Sequence, residues 1–301
     1  MKIAITGAGG FLGKRLTRRL AAAGHEVIAI LRGDPAPEDR PYFSAPGTRV
    51  LKLDLAALDC ARLPRDIDAI YSIAQSSHFR SFPEKAEDIF SVNVNANMKL
   101  LQWAMENKVG RFVFASSGGV YGGRQGGEWV ESEPLSVDSA LGFYLGTKLC
   151  AEVILQNCRQ FFGTMAILRP FFIYGPGQRK DMLIARMVES VRNGQPIYLQ
   201  GRDGLRLNPV FVDDAVEAFA CALDLQGWHV INVAGPAAVS LRQIGEKIGA
   251  LLGKAPVFEI KDGTPVDYVG ATDSVRSKLG MKLTDIDEGL RAAVGGEPAQ
   301  R

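Results

Sequence analysis

A chain of 301 residues, 47% hydrophobic and 23% charged, has the composition of a soluble globular protein and the length for one large α/β domain with a smaller appendage. Its formal net charge of +2 gives no reason to expect nucleic acid or an acidic membrane surface as a partner. No apolar run approaches the roughly 20 residues of a membrane span, and Met1-Lys2-Ile3 leads straight into a strand pattern with no room for a signal peptide. Cys60, Cys150, Cys158 and Cys221 are scattered, and His25, His78 and His229 stand at no metal-ligand spacing. A reduced, cytoplasmic setting without a metal is the expectation, with the cysteines as small buried apolar residues.

The first element is a short apolar strand, Ile3-Ala4-Ile5, of the kind buried on both faces. Gly7, Gly10 and Gly13 follow, then Leu12, Leu16 and Leu20 on one helical face, with Gly24 placed to end the helix. Strand, glycine turn and helix make a pyrophosphate cradle: glycines let the backbone approach the phosphates, and the helix N-terminus offers free N–H groups. The spacing is Gly-x-x-Gly-x-x-Gly, distinct from the Gly-x-Gly-x-x-Gly of ordinary dinucleotide dehydrogenases. Strand two, His25 to Leu31, ends in Arg32-Gly33, where NAD enzymes usually carry an acid for the ribose 2′-hydroxyl. An arginine there suits a 2′-phosphate and gives weight to NADP; alternatively Arg32 stacks on adenine or faces water. After a proline-rich loop, strand three (Arg49 to Leu53) leads to Asp54-Leu55, placed to meet the adenine edge.

Strand four runs from Ala69 to Ala74, and a long helix from about Pro83 to Asn107 carries Phe90, Val94, Met98, Leu101 and Met105. Strand five, Arg111 to Ala115, meets Ser116-Ser117 directly; a glycine-rich loop through Pro134 precedes a helix from about Leu141 to Phe161. Strand six, Met165 to Arg169, stops at Pro170. Such alternation predicts a parallel sheet with helices on both faces and a cofactor beyond the carboxyl ends of the strands. Beyond it come a helix from Leu183 to Arg192, a strand from Pro196 to Leu199, and a helix after Asp213-Asp214. Strand seven, His229 to Val233, precedes a helix from Leu241 to Leu252, a strand from Val257 to Ile260 and a last helix near Ile286 to Val294. The expected fold is α/β: a Rossmann, doubly wound parallel sheet with a smaller, interleaved C-terminal substrate domain. Residues 1–170 plus about 205–234 form the dinucleotide-binding part, and residues 171–204 plus 235–301 the substrate-binding part.

Tyr144 and Lys148 lie four residues apart on one helix, hence on one face. A nearby ammonium favours a phenolate, drawing the tyrosine pKa from about 10 towards working pH, so that it can take a hydroxyl proton or return one to a carbonyl.

With these residues the sequence resembles the extended short-chain dehydrogenase/reductases, and within them the NAD-dependent epimerases and dehydratases of nucleotide sugars. The likeness rests on the Gly7/Gly10/Gly13 turn, Asp54-Leu55, Asn93-Val94, the Ser116 to Gly122 run and Tyr144/Lys148. It continues through Leu168-Arg169-Pro170-Phe171, Tyr174-Gly175-Pro176-Gly177, Val212-Asp213-Asp214, Asp273 and Leu279-Gly280. The resemblance implies Ser117 as the hydroxyl that bonds the reacting oxygen, Tyr144 as acid/base, and Lys148 as the group that lowers its pKa and holds the nicotinamide ribose. It implies cofactor contacts (NAD or NADP) from Gly7, Gly10, Phe11, Leu12, Gly13, Arg32, Asp54, Leu55, Ala74, Asn93 and Lys148, and substrate contacts from Ser117, Tyr144, Phe172 and Arg206. Members often dimerise through the two long helices, so a homodimer is expected.

Two departures shape the functional expectation. Gly118-Gly119 stand where 4,6-dehydratases carry Asp-Glu for the protons of water loss, which disfavours dehydration. Phe172 stands where many members have an asparagine on the nucleotide diphosphate; Arg206 or Arg202 could grip that group instead, or be exposed loop charges. The leading expectation is an NAD(P)-dependent nucleotide-sugar 4-epimerase-like enzyme. The alternatives are an NADPH-dependent ketoreductase of a 4-keto-deoxysugar nucleotide or smaller ketone, and a non-catalytic cofactor-binding protein.

Overall fold

The computed structural model describes residues 1–138 and 141–295; residues 296–301 of the expected substrate domain lie outside the described residues. Strands β1 (Lys2–Thr6), β2 (Glu26–Leu31), β3 (Thr48–Lys52), β4 (Ala69–Ser72), β5 (Arg111–Ala115) and β6 (Thr164–Pro170) form where the apolar runs place them. β7 (Pro196–Gln200) and β8 (Arg206–Leu207) intervene before β9 (Gly227–Val233), which returns to the sheet. The order is β3-β2-β1-β4-β5-β6-β9, and every neighbouring pair from β3 to β6 is parallel. Strand order reverses beside β1, which leaves a crevice at the carboxyl ends of β1 and β4. The inner strands are buried at nearly every residue, as strands covered on both faces must be, whereas edge strand β3 is half exposed.

The helices are α1 (Phe11–Ala22), α2 (Ala86–Phe90), α3 (Ala96–Glu106), α4 (Gly142–Cys158), α5 (Leu183–Arg192), α6 (Val212–Cys221), α7 (Leu241–Leu252), α8 (Asp273–Leu279) and α9 (Ile286–Gly295). The single long helix expected from Pro83 begins at Ala86 and is broken by a π turn, Ser91–Asn95, between α2 and α3. Within that turn the Asn93 carbonyl accepts from Asn97 Nδ2 at 2.6 Å, and the Asn97 amide oxygen accepts in turn from Ser72 Oγ at the end of β4. A widened turn of this kind redirects a side chain without ending the helix.

The chain forms two compact units. The first comprises Met1–Val120, Leu135–Arg169 and Val216–Ile231, the second Tyr121–Pro134, Pro170–Ala215 and Asn232–Arg301. Residues 121–134 and 205–215 thus cluster with the second unit, whereas the sequence reading has them with the first. Backbone hydrogen bonds explain it: Arg124 N donates to Asp267 O, and Trp129 N to Val269 O. β8 sits between β10 (Val239–Ser240) and β12 (Asp267–Tyr268), while β11 (Val257–Lys261) pairs in parallel with β7. Strands of two residues carry no readable alternation, so β8, β10 and β12 have no signature in the sequence.

Candidate active site

The glycine turn is shaped by backbone contact. Gly7 has φ +70°, and a Cβ there would lie 2.7 Å from Ala74 Cα; at Gly13 it would lie 2.1 Å from the Gly7 carbonyl. A side chain at either place would displace main chain, so both glycines are required by packing. Gly10 is the N-cap of α1 and offers no side-chain cap, and the first turn holds no acidic residue. The amides and positive dipole end of a 12-residue helix therefore remain available for an anion.

Beside this turn lies a cavity of about 580 Å³, a size typical of cofactor sites. Gly7, Gly10, Arg32, Asp54, Leu55 and Ala74 line it, as do Gln75, Ser76 and Asp88, which the sequence reading did not single out. Phe11, Leu12, Gly13, Asn93 and Lys148 are not in its wall. Gly13 lies under the turn, where its carbonyl accepts from Thr17 Oγ1. Asn93 is fully buried and engaged: its Nδ2 donates to Thr147 Oγ1 at 2.9 Å and its Oδ1 accepts from Ser76 N at 2.9 Å. Two wall acids already have cations, Asp34 with Lys52 at 2.7 Å and Asp39 with Lys14 at 2.5 Å. Arg32 is exposed and has no partner among the described residues.

α4 carries the polar row. Tyr144, 8% exposed, donates from its hydroxyl to Gln75 Oε1 at 2.8 Å, and Ser117 is the neighbouring hydroxyl that favours its ionised form. Phe79 lies tilted against its ring, centroids 5.2 Å apart. Ser117 Oγ accepts from Gly119 N at 3.1 Å. A Cβ at Gly119 would lie 2.8 Å from a Leu145 methyl, so a side chain here would have to push Leu145 of α4 aside. The neighbouring Ser116 hydroxyl is buried without a partner among the described residues.

Lys148 is 2% exposed, and its Nζ donates to Ala115 O at the end of β5, 2.9 Å away. Burial lowers its pKa to about 8, and Glu152, one turn further along α4, opposes that fall. Glu152 is itself held by Arg169 in a buried two-pronged pair, Nη2 to Oε2 at 2.6 Å and Nε to Oε1 at 3.1 Å. The expected depression of the Tyr144 pKa is corrected here. Burial pushes the phenol well above its ordinary value, and the opposing pull comes from Ser117. The ammonium is 5.9 Å from the phenol ring centroid and spends a proton on Ala115 O, so desolvation outweighs it.

The two further substrate candidates lie in the second unit. Phe172 has φ +45°, half-exposed, with its ring edge-on to Tyr268 at 5.9 Å. Left-handed backbone favours asparagine over phenylalanine, which accounts physically for the asparagine common at this place. Arg206 on β8 is half exposed and meets Asp267 Oδ2 at 3.4 Å. Arg202 is exposed, and its carbonyl accepts from Arg242 Nε. Of the residues that sequence reasoning passed over, Glu152 continues the four-residue spacing of Tyr144 and Lys148. Gln75 follows Ala74 at the carboxyl end of β4, where a doubly wound sheet gathers its ligand contacts.

Known proteins share this architecture. The chain is 29% identical over 282 residues to YtcB of Bacillus subtilis, an uncharacterized UDP-glucose epimerase, across 87% of this chain and 85% of that one. It is 27% identical to the dTDP-4-dehydro-6-deoxy-D-allose reductase of Streptomyces bikiniensis, across 88% and 85% of the two chains. The solved structure of MoeE5 in complex with UDP-glucose and NAD is similar with a TM-score of 0.85 at 27% identity, over 98% of both chains. The sequence profile of the NAD dependent epimerase/dehydratase family matches residues 3–234, and the chain belongs to that family.

Proposed function

We propose that this protein is an NAD(P)-dependent nucleotide-sugar epimerase-like oxidoreductase, which oxidises a sugar hydroxyl at C4 and reduces it again from the other face. The observation that carries the reading is the Tyr144 hydroxyl beside Ser117, one helical turn from Lys148, with its hydrogen-bond partner, Gln75, in the wall of the glycine-turn cavity. The close-packed Gly7 and Gly13, the uncapped start of α1 and the unsatisfied Ser116 hydroxyl fit a nicotinamide dinucleotide. Gly7, Gly10, Arg32, Asp54, Leu55 and Ala74 would hold it in the cavity. Bound there, it supplies the acceptor and donor of hydride.

The chain's own residues handle the proton. Ser117 Oγ hydrogen-bonds the reacting oxygen; Tyr144, once its own proton has passed to solvent, takes the hydroxyl proton as a phenolate and gives it back as a phenol; and the Lys148 ammonium attracts the negative charge of that phenolate. Gly118 and Gly119 have no side chain to move the further protons of water loss, which supports epimerisation or reduction over dehydration. Phe172 and Arg206 are the substrate contacts proposed in the second unit. A homodimer in the cytoplasm completes the reading. Phe90 and Met98 of the α2–α3 segment, Val153 of α4 and Phe161 in the turn after it are exposed apolar residues of the helices through which the resemblance implies pairing.

A second reading, net reduction with NADPH, draws on two observations. Arg32 stands in the cavity wall without an acidic partner among the described residues, and Tyr144 rests as a neutral phenol, the form that gives a proton to a carbonyl. The non-catalytic reading gains nothing from a site that keeps both Tyr144 and Lys148. The nucleotide released when the purified protein is denatured separates the first two. Stoichiometric NAD, followed by interconversion of UDP- or dTDP-hexose epimers, supports the epimerase; an empty protein that prefers NADPH to NADH supports the reductase. Tyr144→Phe should abolish turnover and keep dinucleotide affinity, and unchanged turnover would remove the acid/base assignment.

A further inference from the structure

We propose that Gln75 is a positioning residue for Tyr144: its amide carbonyl holds the phenol proton at the cavity edge until a substrate oxygen takes its place. The inference rests on the reading of Tyr144 as acid/base. Hydrogen-bond direction carries it. Gly119 N donates to Ser117 Oγ, which leaves the serine proton free for Tyr144 Oη. Tyr144 in turn has one proton, and Gln75 Oε1 accepts it at 2.8 Å. The one proton the phenol can donate therefore rests on Gln75. An acceptor placed on a neutral phenol favours the neutral form.

The anchoring around Gln75 restricts what can move. On one side Ala74 abuts Gly7 closely enough that no Cβ fits between them, and its N–H meets Thr6 Oγ1. On the other side Ser76 N is fixed by Asn93. The main chain is thus pinned at both neighbours, while the Gln75 side chain is exposed and lines the cavity. Side-chain rotation alone can release Tyr144. Among the described residues, the polar groups that face Tyr144 are Lys148 from α4, Ser117 from the end of β5, and Gln75; Arg80 stacks over Phe79 on the ring's other neighbour. Gln75 is the one among them that reaches both the phenol and the cavity wall.

Two variants test this. Gln75→Met keeps length without an acceptor, and Gln75→Glu keeps the acceptor and adds negative charge. In protein carrying ¹³Cζ-labelled tyrosine, with the Tyr144 signal assigned by its loss in Tyr144→Phe, the two variants should displace that signal in opposite directions at pH 8. With UDP-glucose as the assay substrate, the limb of the pH profile assigned to Tyr144 should move down by about one pH unit in Gln75→Met and up in Gln75→Glu. KM should not rise in Gln75→Met, because the removed amide is a competitor and not a ligand contact, while kcat falls. A Tyr144 signal that stays in place in both variants, or moves the same way in both, overturns the proposal. Retained turnover in Tyr144→Phe would instead overturn the underlying reading.

Discussion

Replacing Lys148 by methionine should stabilise the protein while destroying its activity, and the stabilisation should depend on pH. The Lys148 ammonium is 2% exposed and its pKa lies at about 8, against an ordinary value of 10.5. That fall corresponds to about 3 kcal/mol of unfavourable burial, present in full wherever both folded and unfolded chains are protonated. Methionine fills a similar volume without charge, but leaves the Ala115 carbonyl without the ammonium it now accepts from, a loss of about 1 kcal/mol. Near pH 7 the variant should therefore be more stable by about 2 kcal/mol. Between the folded pKa and 10.5 the unfolded wild-type chain binds more protons than the folded one, so wild-type stability rises with pH across that window. The methionine variant lacks this gain, and the gap between the two should close from pH 8 towards pH 10. Groups distant from Lys148 titrate equally in both proteins, so the difference reports on Lys148 and its neighbours in the row. Urea unfolding of each protein at pH 6.5, 7.5, 8.5 and 9.5 measures it. A variant less stable than wild type at pH 7, or a gap that does not change with pH, would refute the reasoning.

The remaining predictions concern the cradle, the buried pair and the cofactor. Gly13→Ala should lower stability by about 2–3 kcal/mol and abolish dinucleotide binding, since its Cβ would lie 2.1 Å from the Gly7 carbonyl; a melting curve and a binding titration read both. Arg169→Met should cost about 3–5 kcal/mol by leaving Glu152 buried and unpaired, whereas Arg169→Met combined with Glu152→Leu should recover most of that loss. Denaturant midpoints of the three proteins decide it, and equal losses in single and double variants would show that packing, not charge, holds the site. Arg32→Ser should reduce the NADPH-to-NADH affinity ratio about tenfold if the guanidinium meets the 2′-phosphate. An unchanged ratio would place that selectivity elsewhere.

The parallel sheet was legible because strands covered on both faces read as unbroken apolar runs, and Ile3 to Ile5, Val27 to Leu31 and Phe112 to Ala115 are such runs. Gly7, Gly13 and the Tyr144/Lys148 pair were legible because each reflects a local rule: positive φ, close approach, or one helical turn of spacing. What stayed hidden depends on contacts distant in sequence. Asn93 reads as a ligand contact until Ser76 and Thr147 are seen to occupy its amide. Gln75 has no motif of its own, and its meaning comes from the tyrosine 69 positions later. The second unit's two-residue strands are defined by their partners, and so the assignment of residues 121–134 and 205–215 required the backbone bonds themselves. The pKa of Tyr144 shows the same limit: spacing indicates which cation is nearby, whereas burial, which the sequence leaves open, decides the direction.

Charge balance along α4 gives that burial a chemical sense. Tyr144, Lys148 and Glu152 succeed one another at single-turn spacing, and all three are buried. Glu152 is matched by Arg169, so that pair is neutral and leaves the Lys148 ammonium as the unbalanced buried charge of the row. The one residue of the row able to supply a balancing negative charge is Tyr144, by releasing its proton. Each charge alone is disfavoured by desolvation, which is why the phenol is held neutral and the ammonium weakened in the resting protein. Together they attract in a medium of low effective dielectric, where attraction is stronger than in water. Burial therefore keeps the phenol protonated until a substrate oxygen replaces Gln75 and takes that proton, and the phenolate left behind is the charge that balances the Lys148 ammonium.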